Sequence, residues 1–174
     1  MSSIDYELKK IRAFAFDVDG VLSPSTIPLG PDGQPQRMVN IKDGYALQLA
    51  VKYGYSICII TGGNTETVAL RYKALGINDI FMGAARKLPV LRQWMADNEL
   101  HPEEVVYMGD DIPDLQCMRE VGLPCSPHDG CSEVRMTARY ISPIGGGYGC
   151  VRDVVEQVMK AHGVWMSDAK AFGW

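Results

Sequence analysis

The sequence predicts an α/β fold: a doubly wound, mostly parallel sheet of Rossmann-like type. Two observations predict it. Short apolar runs of strand character alternate with segments whose apolar residues recur at helical spacing. The three strongest runs each stop abruptly at glycine, threonine or aspartate, and in an open parallel sheet such polar ends gather along one edge. The 174 residues fit a single domain, 1–174, with no repeat, low-complexity tract or long linker.

Arg12 to Val18 reads as a buried strand that stops at Asp-Gly. Thr26–Leu29 and Arg37–Asn40 then flank Gly-Pro-Asp-Gly-Gln-Pro, a turn signal that predicts a β-hairpin projecting from the sheet over about 24–41. Ser56 to Ile60 is the second strand. Val68, Tyr72 and Leu75 predict a helix capped by Asn64. Ile80-Phe81 is a short strand, and Leu88, Leu91 and Met95 form a helical stripe that tolerates Pro89 in its first turn. Val105 to Met108 is the third strong strand, followed by shorter candidates at Leu123–Cys125 and Tyr140–Ser142. Val151, Val154, Val155 and Val158 predict a closing helix after a glycine run. The tail, about 163–174, ends Phe172-Gly-Trp174, and its aromatics favour docking over fraying.

Composition excludes several classes. Lys+Arg 17 against Asp+Glu 21 gives −4, and no basic run exceeds Lys9-Lys10, so nucleic acid is not an expected partner. The longest apolar stretches are too short to span a bilayer, and charges interrupt the first 25 residues where a signal peptide would need an apolar run, so the expected location is cytoplasmic. Five cysteines without CxxC spacing agree with a reducing compartment. Cys125, His128 and Cys131 lie close in sequence but lack a fourth ligand, so a loop is the better reading than zinc.

The strand ends carry residues that chemistry can use. The first ends Asp17-Val-Asp19-Gly20, the second Thr61-Gly62-Gly63, and the third Gly109-Asp110-Asp111 with Asp114 a turn later; Lys87 opens the helix between the last two. Singly, Asp19-Gly20 reads as a turn, Thr61 and Asp110 as helix caps, and Lys87 as solvated surface. Together, and in this order at strand and helix ends, they argue for one site.

This set resembles the haloacid dehalogenase superfamily of phosphohydrolases, whose motifs run DxDG, Thr or Ser, Lys, and GDD or GDxxxD. The resemblance implies Mg²⁺ held by Asp17, Asp110 and the backbone carbonyl of Asp19. It implies Asp17 as nucleophile and Asp19 as acid and base. It further implies that Thr61, Gly62 and Lys87 bind phosphate and that Asp111 and Asp114 orient the inner residues. The roles agree with the chemistry, because a phosphomonoester needs cationic compensation before a carboxylate can attack it.

Between Asp19 and Asp43, and between Thr61 and Lys87, there is no room for a cap domain. The chain is similar to a capless family that hydrolyses an eight-carbon sugar acid phosphate, 3-deoxy-D-manno-octulosonate 8-phosphate, in lipopolysaccharide precursor synthesis. Asn40-Ile-Lys-Asp-Gly-Tyr45 and Ile144-Gly-Gly-Gly-Tyr-Gly-Cys-Val-Arg-Asp153 also look like that family's landmarks. The resemblance implies a homotetramer in which a neighbouring subunit covers the site. Two departures stand out: Gly63 where the family often has Arg, and Tyr148 in the glycine motif. A nine-carbon sugar acid phosphate is the alternative substrate, and a phospho-aspartate receiver-like switch is the alternative from another class. Arg71 is the candidate for the sugar carboxylate, with Lys42 and Arg86 as further cationic candidates.

Overall fold

The computed structural model describes residues 2–174. The six strands are β1 Ala13–Phe16, β2 Ser56–Ile60, β3 Asp79–Phe81, β4 Val105–Met108, β5 Leu123–Ser126 and β6 Tyr140–Ile141. They form one sheet in the order β3-β2-β1-β4-β5-β6. Every pairing is parallel, so the sheet is wholly rather than mostly parallel. Helices α1 Ile41–Lys52, α2 Glu66–Lys73, α3 Lys87–Asp97, α4 Leu115–Glu120, α5 Ser132–Thr137 and α6 Cys150–Ala161 cover it.

Alternation along β1 shows how both faces are filled. Phe14 and Phe16 join a core built with α1, α2 and α6, whereas Ala13 and Ala15 join a second core with α3, α4 and α5. All four are fully buried, as a central parallel strand requires. The valines of α6 and Leu91 of α3 are fully buried as their spacing predicts. Among the described residues, no helix is long and apolar enough to cross a membrane.

Four expectations need correction or extension. Helix α1 follows the turn directly and gave no clear signal. Its opening Lys-Asp-Gly is a poor helix former, yet Asn40 caps it by accepting from the Lys42 and Asp43 amides at 2.9 and 3.3 Å. Helices α4 and α5 are likewise additions, short and with little periodicity to read. The cap of α2 is Thr65 rather than Asn64, and its hydroxyl accepts from Arg37 instead of from the helix. The expected hairpin is a shorter arm. It doubles back through Gly30 N donating to Gln34 O at 2.7 Å and Gln36 N to Pro28 O at 2.9 Å, with one antiparallel bridge, Leu29 to Pro35. Prolines 24, 28, 31 and 35 remove the donors that a longer ladder needs, and Arg37–Asn40 leads into α1 without pairing. No cap domain interrupts the described residues: only this arm lies between β1 and α1, and only α2 between β2 and β3.

The tail docks on its own α1. The Tyr45 hydroxyl donates to the Ala171 carbonyl, Lys52 Nζ donates to Gly173 O at 3.3 Å, and the Trp165 and Trp174 rings meet Tyr45 edge-on.

Candidate active site

The two loops after β1 and β4 lie side by side because those strands pair in register, Phe16 opposite Met108. They deliver Asp17 and Asp110 to the same edge, while β2 on the other side of β1 delivers Thr61. A cleft of about 430 Å³ opens there, and Asp17, Asp19, Thr61, Gly62, Lys87, Asp110, Asp111 and Asp114 all border it.

The approach of the loops is close. Gly20 has φ +84°, and a Cβ built on it would fall 1.9 Å from Asp110 Oδ2, so only glycine allows the Asp110 carboxylate to lie over the β1 loop. Gly146 in turn sits against the Gly20 carbonyl. The glycine run before α6 is therefore a packing surface for the loop that carries Asp17 and Asp19. Asp43 secures the same region, its Oδ1 accepting from the Arg152 amide at 2.8 Å in the first turn of α6.

Lys87, the first residue of α3, is 7 % exposed and turns its ammonium inward. Its Nζ lies 2.9 Å from Asp17 Oδ1 and 2.8 Å from Asp114 Oδ1. Burial alone would lower its pKa; Asp114 and Asp17 outweigh that and hold it above the ordinary lysine value. Asp114 has no free capacity: Oδ1 also accepts from the Tyr107 hydroxyl at 2.7 Å, and Oδ2 accepts from the Asp110 and Asp111 amides at 3.1 and 3.4 Å. It anchors Lys87 and the β4 loop. Asp111 is exposed at the rim.

The acids are undercompensated. Burial pushes Asp17 up to about 7, with Asp114 adding to it against the opposing pull of Lys87. Burial pushes Asp110 up to about 8, with Asp17 and Asp114 adding to it. Oxygens of Asp17, Asp110 and Asp114 all lie within 4.8 Å of one another, the one group of metal-ligand type among the described residues. Hard carboxylates crowded around too little positive charge fit Mg²⁺. Since Asp114 is saturated, Asp17 and Asp110 are the side chains available to it. The Cys125–Cys131 loop contributes no such group, and all five cysteines are free.

Asp19 is held by a residue that the sequence reading passed over as part of the arm. Arg37 Nε and Nη2 donate to its two oxygens at 2.8 and 2.9 Å. Tyr107, a lone hydroxyl in an apolar strand, was the other missed contributor. The three sugar-binding candidates do not border the cleft of the single chain. Arg71 packs against Gly44 between α1 and α2, with Nε and Nη2 buried and unpartnered. Lys42 is exposed in the first turn of α1. Arg86 lines an adjoining depression with Ile112 and Pro113.

A parallel sheet of this order without a cap, bearing an Asp-x-Asp-Gly loop, a buried Lys and a Gly-Asp-Asp turn at one edge, defines a phosphoric monoester hydrolase of the haloacid dehalogenase superfamily. Comparison with known proteins narrows this. The chain is 34% identical over 155 residues to 3-deoxy-D-manno-octulosonate 8-phosphate phosphatase KdsC of Escherichia coli K12, covering 89% of this chain and 82% of that one. The crystal structure of the Moraxella catarrhalis phosphatase of the same name, in complex with a magnesium ion, a phosphate ion and a KDO molecule, matches with TM-score 0.84 and 37% identity over 88% of each chain. The cobalt-bound Haemophilus influenzae protein shares the fold, with TM-score 0.88 at 23% identity over 95% of this chain and 98% of that one. No protein-family model matches the chain. The chain belongs to the 3-deoxy-D-manno-octulosonate 8-phosphate phosphatase family.

Proposed function

We propose that the chain hydrolyses 3-deoxy-D-manno-octulosonate 8-phosphate to the free sugar acid and phosphate, a cytoplasmic step in lipopolysaccharide precursor synthesis, with Mg²⁺ as cofactor. The observation that carries the chemistry is the pair of buried Asp17 and half-buried Asp110 at neighbouring strand ends, with Lys87 against Asp17. The substrate rests on the relatives.

Asp17 attacks phosphorus and forms an aspartyl-phosphate as the bond to the sugar oxygen breaks. Asp19 gives its proton to that oxygen, then takes one from the water that attacks the aspartyl-phosphate, releasing phosphate and restoring Asp17. Lys87 spends two of its three hydrogens on Asp17 and Asp114, leaving the third for a phosphoryl oxygen. Thr61 and Gly62 border the same space and hold the remaining oxygens. Bound between Asp17, Asp110 and the Asp19 carbonyl, Mg²⁺ would offset the phosphate charge that repels the nucleophile.

The test is phosphate release from a panel of sugar phosphates, with Mg²⁺ and with chelator. The eight-carbon acid phosphate is expected to be fastest, ahead of the nine-carbon acids. Chelator is expected to cost at least about a hundredfold, matching the several kcal/mol that a bound cation contributes. Release that ignores the chelator, or that favours neutral sugars, would remove the reading.

We also propose a homotetramer whose neighbouring subunits close the open cleft. The support is the arm and its base, where Leu29 is 70% and Met38 50% exposed, an apolar surface with no cover in the single chain. Light scattering on a sizing column is expected to give four chains; a monomeric mass would rule the assembly out.

A further inference from the structure

We infer that Arg37 is a positioning residue for Asp19, an inference that rests on Asp19 being the acid of the proposed reaction. Three donors of one guanidinium are engaged: Nε and Nη2 grip the two Asp19 oxygens at 2.8 and 2.9 Å, and Nη1 donates to Thr65 Oγ1 at 2.7 Å. The Arg37 side chain is 10% exposed, while that of Asp19 is 44% exposed toward the cleft. A flexible carboxylate on a loop is thus fixed by a fork whose far side is tied to the start of α2. The fork geometry matters as much as the charge, because two parallel hydrogen bonds set the plane of the carboxylate.

The floor under the guanidinium is Gly63. A Cβ there would lie 2.6 Å from Arg37 Nη2 and 2.9 Å from Cζ. Gly63 is not in the left-handed region of backbone space, so an alanine would strain nothing but this contact. The arginine therefore occupies the room that a side chain at 63 would need. It also joins the arm to the chemistry: the adjoining Met38 amide donates to Ser23 Oγ at 3.0 Å, so the base of the arm is fastened to the loop that carries Asp19.

A residue that aims Asp19 acts on both of its proton transfers, but hydrolysis of the aspartyl-phosphate is common to every substrate. The substrates therefore differ only in the first transfer, read as release of the leaving group in a single turnover. An alkyl phosphate requires protonation of its leaving oxygen; 4-nitrophenyl phosphate leaves as a stable phenolate and barely does. Arg37→Gln is expected to slow single-turnover release of the sugar acid by about 10- to 100-fold, with KM little changed, and single-turnover release of 4-nitrophenolate by less than about threefold. Arg37→Lys keeps the charge but not the fork and recovers only part of the loss. Gly63→Ala, which leaves Arg37 in place but pushes its guanidinium aside, reproduces the same split and covers the case in which Arg37→Gln does not fold.

Asp19→Asn is the reference. If it shows the split and the Arg37 and Gly63 variants do not, Arg37 is not a positioning residue, although Asp19 remains the acid. If Asp19→Asn shows no split, the acid assignment fails first and the inference falls with it. Equal losses on both substrates, or a rise in KM alone, would give Arg37 a structural or substrate-binding role and overturn the inference. In the Asp19→Asn background, Arg37→Gln is expected to add nothing.

Discussion

Asp17→Asn is expected to abolish turnover while the fold persists. Asparagine keeps the shape and can still accept from Lys87, but an amide oxygen does not form the acyl-phosphate, so kcat is expected to fall by at least about 10⁴. The same substitution has an effect on stability that a purely structural residue would not show. In the metal-free protein, burial holds Asp17 up to about 7 and Asp110 up to about 8, whereas in the unfolded chain both lie near 3.9. Between those limits the folded state binds more protons than the unfolded one. Stability contributed by the protonated acids is therefore complete at low pH and is lost as pH rises through about 7 and 8. Thermal unfolding in chelator is expected to weaken steadily from pH 5 to pH 8, and Mg²⁺ is expected to raise the midpoint most at the alkaline end. Asp17→Asn removes one of the two groups, so its chelator curve is flatter. Turnover within tenfold of the parent, or chelator curves of equal slope, would take Asp17 out of the centre of the site.

How much of this the sequence carried depends on the range of the signal. Strands β1, β2 and β4 were legible to within two residues at either end, because a strand buried on both faces must be apolar throughout and its polar terminus is then conspicuous. The residues that border the cleft were legible for the same reason: Asp17, Thr61 and Asp110 each sit one or two residues past such an end. Helix α6 was legible because its four valines fall on one face. Helix α1 was not, since its stability comes from tertiary packing of Ala46, Leu47, Leu49 and Ala50 beneath a glycine-containing first turn.

Long-range polar pairings were the other blind spot. Nothing local in Gln36-Arg37-Met38 announces that the arginine reaches Asp19, and nothing in Asn64-Thr65 announces that the Thr65 hydroxyl is taken by that arginine, which is why Asn64 looked the better cap. The proline-rich turn was recognised, but its prolines were read as turn punctuation and not as a bar to the ladder on either side. Arg71 is a further case: its place on a predicted helix face did not announce that the fold buries two of its nitrogens against α1.

Lys87→Met is expected to damage both chemistry and stability, and the two effects separate by pH. The substitution keeps most of the volume and removes the one ammonium that faces Asp17 and Asp114. Removing one partner of a buried ionic cluster typically costs about 3–5 kcal/mol, because the remaining charge is left uncompensated. Here the tyrosine hydroxyl and two backbone amides still serve Asp114, so Asp17 bears most of the loss. A buried carboxyl can escape that penalty by taking up a proton. The destabilisation measured in urea with chelator is therefore expected to be largest near pH 8 and to shrink toward pH 5. Mg²⁺ is expected to restore part of the stability at pH 8, since its charge replaces the lost ammonium beside Asp17. Turnover does not return with it: the phosphoryl oxygens lose a donor aimed at their developing charge, and kcat is expected to remain down by at least about 10³. Unchanged urea midpoints at pH 8, or activity restored by Mg²⁺ alone, would show that Lys87 is not the internal counter-charge of this site.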